Sequence, residues 1–382
     1  TKFSGMSIMR KKDNFNFAAF LRNMVLGIAI VSAVSVGAIK YTNLFAETGS
    51  SERVFKEDVS ENDGGSQSKS NIIVENTYTD ETPDENTETE PVFTNTLSPQ
   101  ELAEQPETDI KYSDVKKEVN ITEDDINQLR NFDYLKGKFY IVDSRTDLLE
   151  SDIDVDSFLN MDFSIDNSSN GPKVLIFHTH SHEMYADSDP SKGLGEGIWG
   201  VGEELKNILE NEYGISVLHD NGRYDVVDGK NQILGAYERM EPAIQKILDE
   251  NPSIEVVIDM HRDGVNEDVR LVSEVNGKTC AQIMFFNGLC RLNQNGTLTE
   301  LDYLPNTYLK DNLSFSFNLQ LLANKLYPSF TRRIYVNAYR YSLHMKPKSL
   351  LIEVGAQTNT KQEALNAMEP LADILSRLIL PE

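Results

Sequence analysis

The stretch Lys173-Val-Leu-Ile-Phe-His-Thr-His-Ser-His-Glu183 limits what this chain can fold into more than any other. Val174 to Phe177 is a continuous apolar run behind Gly171-Pro172, the pattern of a strand buried on both faces of a parallel or mixed sheet. Three of the six histidines in the chain stand within positions 178–182, directly after that run. Open α/β sheets bind ligands beyond the carboxyl ends of their strands, so the cluster sits where such a fold does its chemistry. Imidazole and carboxylate together form the ligand set of a catalytic zinc site, which uses three protein ligands and leaves one position open. His180-x-x-Glu183 reads as the first part of such a site.

The rest of the carboxyl-terminal sequence alternates between strand and helix patterns. Order begins near Ile121, where Thr122 predicts a helix N-cap, and Phe139-Tyr-Ile-Val142 reads as a short strand. Residues 202–213 carry Leu205, Ile208 and Leu209 on one helical face, with Gly214 as a C-cap. A strand at 215–218 runs into His219-Asp220, and 234–248 is an amphipathic helix with a kink expected at Pro242. Glu255-Val-Val-Ile-Asp-Met-His261 is a second buried strand that ends in a histidine. Strand-like segments at 271–275 and 281–286, a helix at 315–326, strands at 334–336 and 349–353, and a helix at 362–378 complete the pattern. This predicts an α/β domain with a central, largely parallel sheet flanked by helices.

Ahead of that domain, Met9-Arg-Lys-Lys12 and Arg22 precede an uncharged run over 24–39 that Lys40 closes. Its apolar part, about 16–17 residues, is slightly short of the ~20 of an ideal spanning helix, and snorkelling by Lys40 makes it workable. Basic residues before the run and acidic ones after it put the amino terminus in the cytoplasm. The organisation expected is therefore a cytoplasmic basic tail (1–23), a transmembrane anchor (24–39), a disordered acidic linker (40–119) and an extracytoplasmic domain (120–382), a single-pass membrane protein. A cleaved signal peptide is the rival reading, because Val36-Gly-Ala38 is a small-residue cleavage site; Lys40 directly after the run favours the anchor. The linker, for example Glu81-Thr-Pro-Asp-Glu-Asn-Thr-Glu-Thr-Glu-Pro91, has too few apolar groups to offset the entropy of ordering it.

The formal net charge of -25 argues against nucleic acid, because a binder of phosphates needs a basic face, although the acidic excess is uneven along the chain and says little about the folded part. Cys280 and Cys290 are the two cysteines, without C-x-x-C spacing. They rule out a disulfide framework and a cysteine zinc knuckle and leave one optional disulfide.

Three strand ends supply the chemistry: His180-x-x-Glu183 after the first, His261 at the end of the second, and Glu353 at the end of Ser349-Leu-Leu-Ile-Glu353. Two imidazoles and a carboxylate can hold Zn2+, and a further carboxylate can move the proton of a water. His178 and His180 alternate and point to opposite faces, so one of them reaches the metal. His180 keeps the spacing to Glu183 and is preferred, which leaves His178 as an orienting or substrate-contacting group. Asp259, Arg262 and Asp263 are candidates for the same supporting roles. His182 is expected in an exposed loop. Glu353 follows an apolar run, where a carboxylate is costly unless it faces a cation. Glu203 and Glu204 are rival carboxylate ligands that a solvated helix face also explains.

With the anchor and tether, the motifs Pro172-Lys-Val-Leu-Ile-Phe-His-Thr-His-Ser-His-Glu183, Ile258-Asp-Met-His-Arg-Asp263 and Leu351-Ile-Glu-Val-Gly355 resemble the stage II sporulation protein P family of endospore-forming bacteria. More distantly the pattern is similar to zinc-dependent N-acetylmuramoyl-L-alanine amidases. Their zinc histidines match His180 and His261, and their catalytic glutamate, in a Glu-Val-Gly motif, matches Glu353. Their zinc glutamate belongs to a helix after the first loop, with no clean match here, so Glu183 is assigned by spacing and Glu203 stays its rival.

The resemblance implies an amidase-like fold, a Zn2+ cofactor, and cleavage of the peptidoglycan amide between muramic acid and the stem peptide, with a capacity for cross-link peptides. It also implies action at the septal membrane during forespore engulfment, with stage II sporulation proteins D and M as partners. Two other classes fit the residues. One is a metallocarboxypeptidase-like enzyme, which needs an arginine such as Arg262, Arg270, Arg332 or Arg340 to hold a terminal carboxylate. The other is a catalytically silent wall-binding scaffold.

Overall fold

The apolar runs that the sequence marks as buried strands become the inner members of one seven-stranded sheet. The computed structural model describes residues 119–380, so the expected basic tail, anchor and acidic linker lie outside the described residues. Among the described residues no helix is long and apolar enough to cross a membrane. The sheet strands are β1 (Tyr140–Val142), β2 (Val174–Phe177), β3 (Val217–His219), β4 (Val256–Asp263), β5 (Ile283–Gly288), β6 (Ile334–Asn337) and β7 (Lys348–Ala356). Their order is β1-β6-β5-β7-β4-β2-β3.

Five of the six junctions are parallel and one, β5 against β7, is antiparallel. A parallel return needs a crossover, usually a helix. Helices Ile198–Tyr213, between β2 and β3, and Ala236–Glu250, between β3 and β4, supply two, and Leu309–Leu326 between β5 and β6 supplies a third. From β4 to β5 the chain instead passes through a two-stranded hairpin, Val272–Val275 with Lys278–Ala281, and enters β5 two residues later. With no helix in between, β5 runs back against the direction of β4 and β7. The sequence pattern does not show that reversal.

The helices are α1 (Glu123–Leu129), α2 (Phe132–Phe139), α3 (Val155–Leu159), α4 (Ile198–Tyr213), α5 (Ala236–Glu250), α6 (Leu309–Leu326), α7 (Lys361–Asn366) and α8 (Met368–Ile379). Thr122 caps α1 through a reciprocal capping box with Asp125. Phe139 closes α2 instead of opening β1, because the extended backbone begins only at Tyr140. Helix α4 starts four residues before Gly202, at a Gly197 N-cap that makes no side-chain hydrogen bond, so no cap signal marks its start in the sequence. Helix α5 continues through Pro242. The alternation along β2 divides the core: Val174 and Ile176 join the large cluster with α4, α6 and α8, and Leu175 and Phe177 join a second cluster with Met240, Ile244 and Leu248 of α5. Both faces of the sheet are therefore covered around the strands that end in histidines.

Candidate metal centre

Past Phe177 the chain leaves β2 as His178-Thr-His-Ser-His-Glu183, and Thr179 fixes its course. Its backbone N–H and hydroxyl both donate to the Asp259 carboxylate of β4, at 2.9 and 2.7 Å. That anchor turns His180 toward His261, whose rings stand nearly perpendicular with centroids 5.0 Å apart. Oε1 of Glu183 lies 3.4 Å from His180 Nδ1 and 3.6 Å from His261 Nδ1. Two ligands of a tetrahedral zinc, each about 2.0–2.2 Å from the ion, are roughly 3.4 Å apart, so these separations fit a shared ion. One donor atom from each of the three residues lies within 4.8 Å of the others.

The electrostatics suit a cation as well. Burial drives the Glu183 carboxyl up, but the His261 charge and the hydrogen bonds to His180 and His261 outweigh it and hold the group far below the usual range. Burial would likewise lower His261, and Asp259 and Glu183 together raise it well above the ordinary imidazole value. Asp259 Oδ1 is 2.8 Å from His261 Nε2, although off the line that a ring N–H would point along. The two carboxylates thus favour positive charge at His261. A divalent cation held by the three donors would meet the same need for positive charge.

Glu353 stands beside this group because β7 pairs with β4 in register, Glu353 opposite His261. Its Oε2 is buried without a hydrogen-bond partner. Burial, then the negative charges of Asp263 and Glu183, push its pKa up to about 8. The pairing slips after Glu353, where Gly355 adopts φ +60°, and a Cβ there would come within 2.5 Å of Asn359 Oδ1. Only glycine allows this bend without strain.

The supporting candidates separate. Arg262 donates its backbone N–H to Glu183 Oε2 at 2.8 Å, which leaves Oε1 for the imidazoles, and its Nε donates to Met184 O at 2.9 Å. Asp263 is held by the Gly264 N–H and by Arg332 Nη1 at 2.6 Å. His178 faces away from the three donors: its Nδ1 lies 2.8 Å from Met260 O and its Nε2 2.9 Å from His219 Nε2. Burial and the neighbouring His219 push its pKa down to about 3. His219 in turn contacts Glu203 at 2.8 Å, and Lys206 takes the other Glu203 oxygen at 3.1 Å. The rival ligand is therefore engaged on the far side of His178. His182 corrects an expectation, since it is not in an open loop: its Nδ1 and N–H lie 3.1 Å from Asp225, a buried carboxylate that needs those donors. Cys280 and Cys290 are buried free thiols.

His219 and Tyr237 also belong to this neighbourhood, beside His178 and His180 respectively. His219 ends a strand, as His261 does, which was the available signal. Tyr237, on α5 with its ring centroid 5.9 Å from that of His180, carries none. Helix α4 approaches so closely that a Cβ on Gly202 would lie 2.8 Å from His178 Nε2 and 3.0 Å from His219 Nε2. Gly202→Val is accordingly expected to destabilise the fold by about 1–3 kcal/mol, the usual cost of overpacking. A thermal melt checks this, and an unchanged midpoint contradicts the contact.

A family model described as Stage II sporulation protein P (SpoIIP) matches residues 49–376. Stage II sporulation protein P of Bacillus subtilis (strain 168) is 22% identical over 221 residues, 54% of this chain and 50% of that protein. The chain thus spans about half the length of that curated relative. Among solved structures, N-acetylmuramoyl-L-alanine amidase AmiC2 of Nostoc punctiforme is similar at 15% identity and a TM-score of 0.31, over 55% of this chain and 97% of that one. The CwlD amidase of Clostridioides difficile, solved with the GerS lipoprotein, is similar at 12% identity and a TM-score of 0.32, over 53% and 94%. The amidase Ami1 of Mycobacterium smegmatis follows at 12% and 0.29, over 57% and 96%.

Proposed function

From the premise that the chain belongs to the stage II sporulation protein P family, we propose that it is a zinc-dependent peptidoglycan hydrolase that cuts the amide between N-acetylmuramic acid and L-alanine. One observation carries this reading: two imidazoles and a carboxylate converge on one point, and Glu353, whose Oε2 is buried without a hydrogen-bond partner, lies in register beside them.

His180, Glu183 and His261 would hold the Zn2+, with the Asp259 charge close to His261 and the Arg262 N–H fixing Glu183. When bound, the ion supplies Lewis acidity, polarising the scissile carbonyl and making a water more acidic. Glu353 takes the proton of the attacking water and returns it to the leaving amine. Burial raises its pKa to about 8 even though His261 and Arg332 pull the other way, and a cation held at the three donors would lower it and favour the basic form. Arg332 offsets the charge of Asp263 and limits how far that neighbour suppresses ionisation.

The carboxypeptidase reading is weaker, because its candidate arginines are engaged. Arg262 is tied to Met184 O, Arg270 to Glu363, Arg332 to Asp263 and Arg340 to Glu241. The scaffold reading leaves the buried, unpartnered Oε2 of Glu353 without a reason. We further read the full protein as anchored by residues 24–39, acting outside the membrane during engulfment with stage II sporulation proteins D and M, and capable of cutting cross-links.

Product analysis of intact wall tests the reaction. New amino-terminal L-alanine on released stem peptides is the expected result. Released carboxyl-terminal amino acids point to the carboxypeptidase, and an uncut wall to the scaffold.

A further inference from the structure

The sheet face that carries Glu353 and His261 continues, past β7, into a row of rings that the proposed reaction leaves unused. Leu351 of β7, two residues before Glu353 and so on the same face, stands opposite Phe286 of β5, and Phe286 stands opposite Tyr335 of β6. The loop after β6 lies against this row. Tyr341 packs on Phe286 with 4.7 Å between centroids and on Tyr237 with 5.6 Å, and Tyr237 packs on His180. Tyr339 continues outward from Tyr341 at 6.4 Å and is 37% exposed, with the Arg145 guanidinium 5.9 Å above its ring. Rings in contact therefore lead from one donor of the candidate metal centre to the protein surface.

The fold holds this path in place at a cost. Tyr341 adopts φ +53°, a left-handed conformation that a bulky residue takes only under constraint. Gly288, which ends β5, lies directly under the loop: a Cβ there would be 2.0 Å from Tyr339 O and 3.0 Å from Tyr341 Cδ2. Asp143 braces the far end, accepting from Tyr335 Oη at 2.6 Å and from Arg145 Nε at 2.8 Å.

We propose that this tyrosine path is a subsite for the glycan strand of the substrate, in which a pyranose ring packs on the exposed Tyr339, on the side away from Arg145, with Tyr341 holding the Tyr339 ring in place, while the scissile amide lies at the three donors. The proposal rests on the reading of the substrate as peptidoglycan. Pyranose rings present C–H faces that pack on aromatic faces and hydroxyls at their edges that bond to tyrosine hydroxyls, which is what an aromatic wall with few polar groups recognises. A stem peptide, rich in carboxylates, would call for free cations. Here Arg145 is already paired with Asp143, and Arg340 with Glu241.

The test uses the full chain carrying Glu353→Gln, titrated by calorimetry with a peptide-free N-acetylglucosamine tetrasaccharide. Adding Tyr339→Ala is expected to weaken binding roughly tenfold, the size of one lost ring contact, while Tyr339→Phe, which keeps the ring, stays within about twofold. In the active protein, Tyr339→Ala should raise KM on wall strands and hold kcat within about twofold, the pattern of lost uniform binding. Tetrasaccharide binding that is insensitive to Tyr339, or a loss confined to binding of the free stem peptide, overturns the subsite. If the unmodified protein cuts wall while either of those holds, the subsite alone fails; if it leaves wall uncut, the functional reading fails and takes the subsite with it.

Discussion

Glu353→Gln is expected to lower kcat on peptidoglycan by about 10²–10⁴-fold, the usual worth of a positioned general acid–base, with the protein still folded and its zinc retained. The amide keeps the shape of the carboxyl and removes its proton chemistry. Metal analysis beside the rate assay separates this from loss of the ion; a variant that loses zinc and activity together contradicts the role given to Glu353. The same substitution has a second, opposite consequence in the metal-free protein. With a folded pKa of about 8 against an unfolded 4.5, Glu353 binds its proton more tightly in the fold. Its contribution to stability is thus complete below pH 4.5 and is lost as the pH rises through about 8. Metal-free protein should lose stability on the order of a few kcal/mol over that window, and Glu353→Gln should lose markedly less. Chemical denaturation at three pH values would show it.

The second large effect concerns His261. His261→Ala removes a donor and also the imidazole between the buried Asp259 and the half-buried Glu183, leaving both carboxylates without that partner. Zinc occupancy should fall to a small fraction of one ion per chain. The metal-free variant should be less stable than the metal-free parent by about 3–5 kcal/mol, as when one member of a buried ion pair is removed. Full zinc occupancy in the variant would put the ion elsewhere.

Much of this could be read in the sequence because burial writes itself into local patterns. Val174 to Phe177, Val256 to His261 and Leu350 to Glu353 announce themselves as apolar runs, and each ends in a residue with chemistry. What the runs do not encode is which strands lie side by side. The meeting of His180, Glu183 and His261, and the alignment of Glu353 with His261, follow from β2, β4 and β7 being neighbours in the sheet.

Other features depended on contacts between distant segments and left no local trace. Glu203 reads in sequence as a rival metal ligand or a solvated helix carboxylate, but it pairs with His219 from the neighbouring strand. His182 looked like a loop residue and turned out to serve a buried Asp225 some forty positions on. Tyr237 and Tyr341 become one surface only because α5 and the loop after β6 converge over the same sheet face. The reversal at β5 was hidden because a hairpin and a crossover helix can each follow an identical strand.

The central claim is that His180, Glu183 and His261 hold one zinc ion within reach of Glu353. A crystal structure of the zinc-loaded protein, with anomalous diffraction collected at the zinc edge, tests it directly. The account predicts a single peak bonded to both imidazoles and to the Glu183 carboxylate, at about 2.0–2.2 Å from each, with Glu353 near but unbonded. A peak away from these donors, or one that takes Glu203 in place of Glu183, would contradict it.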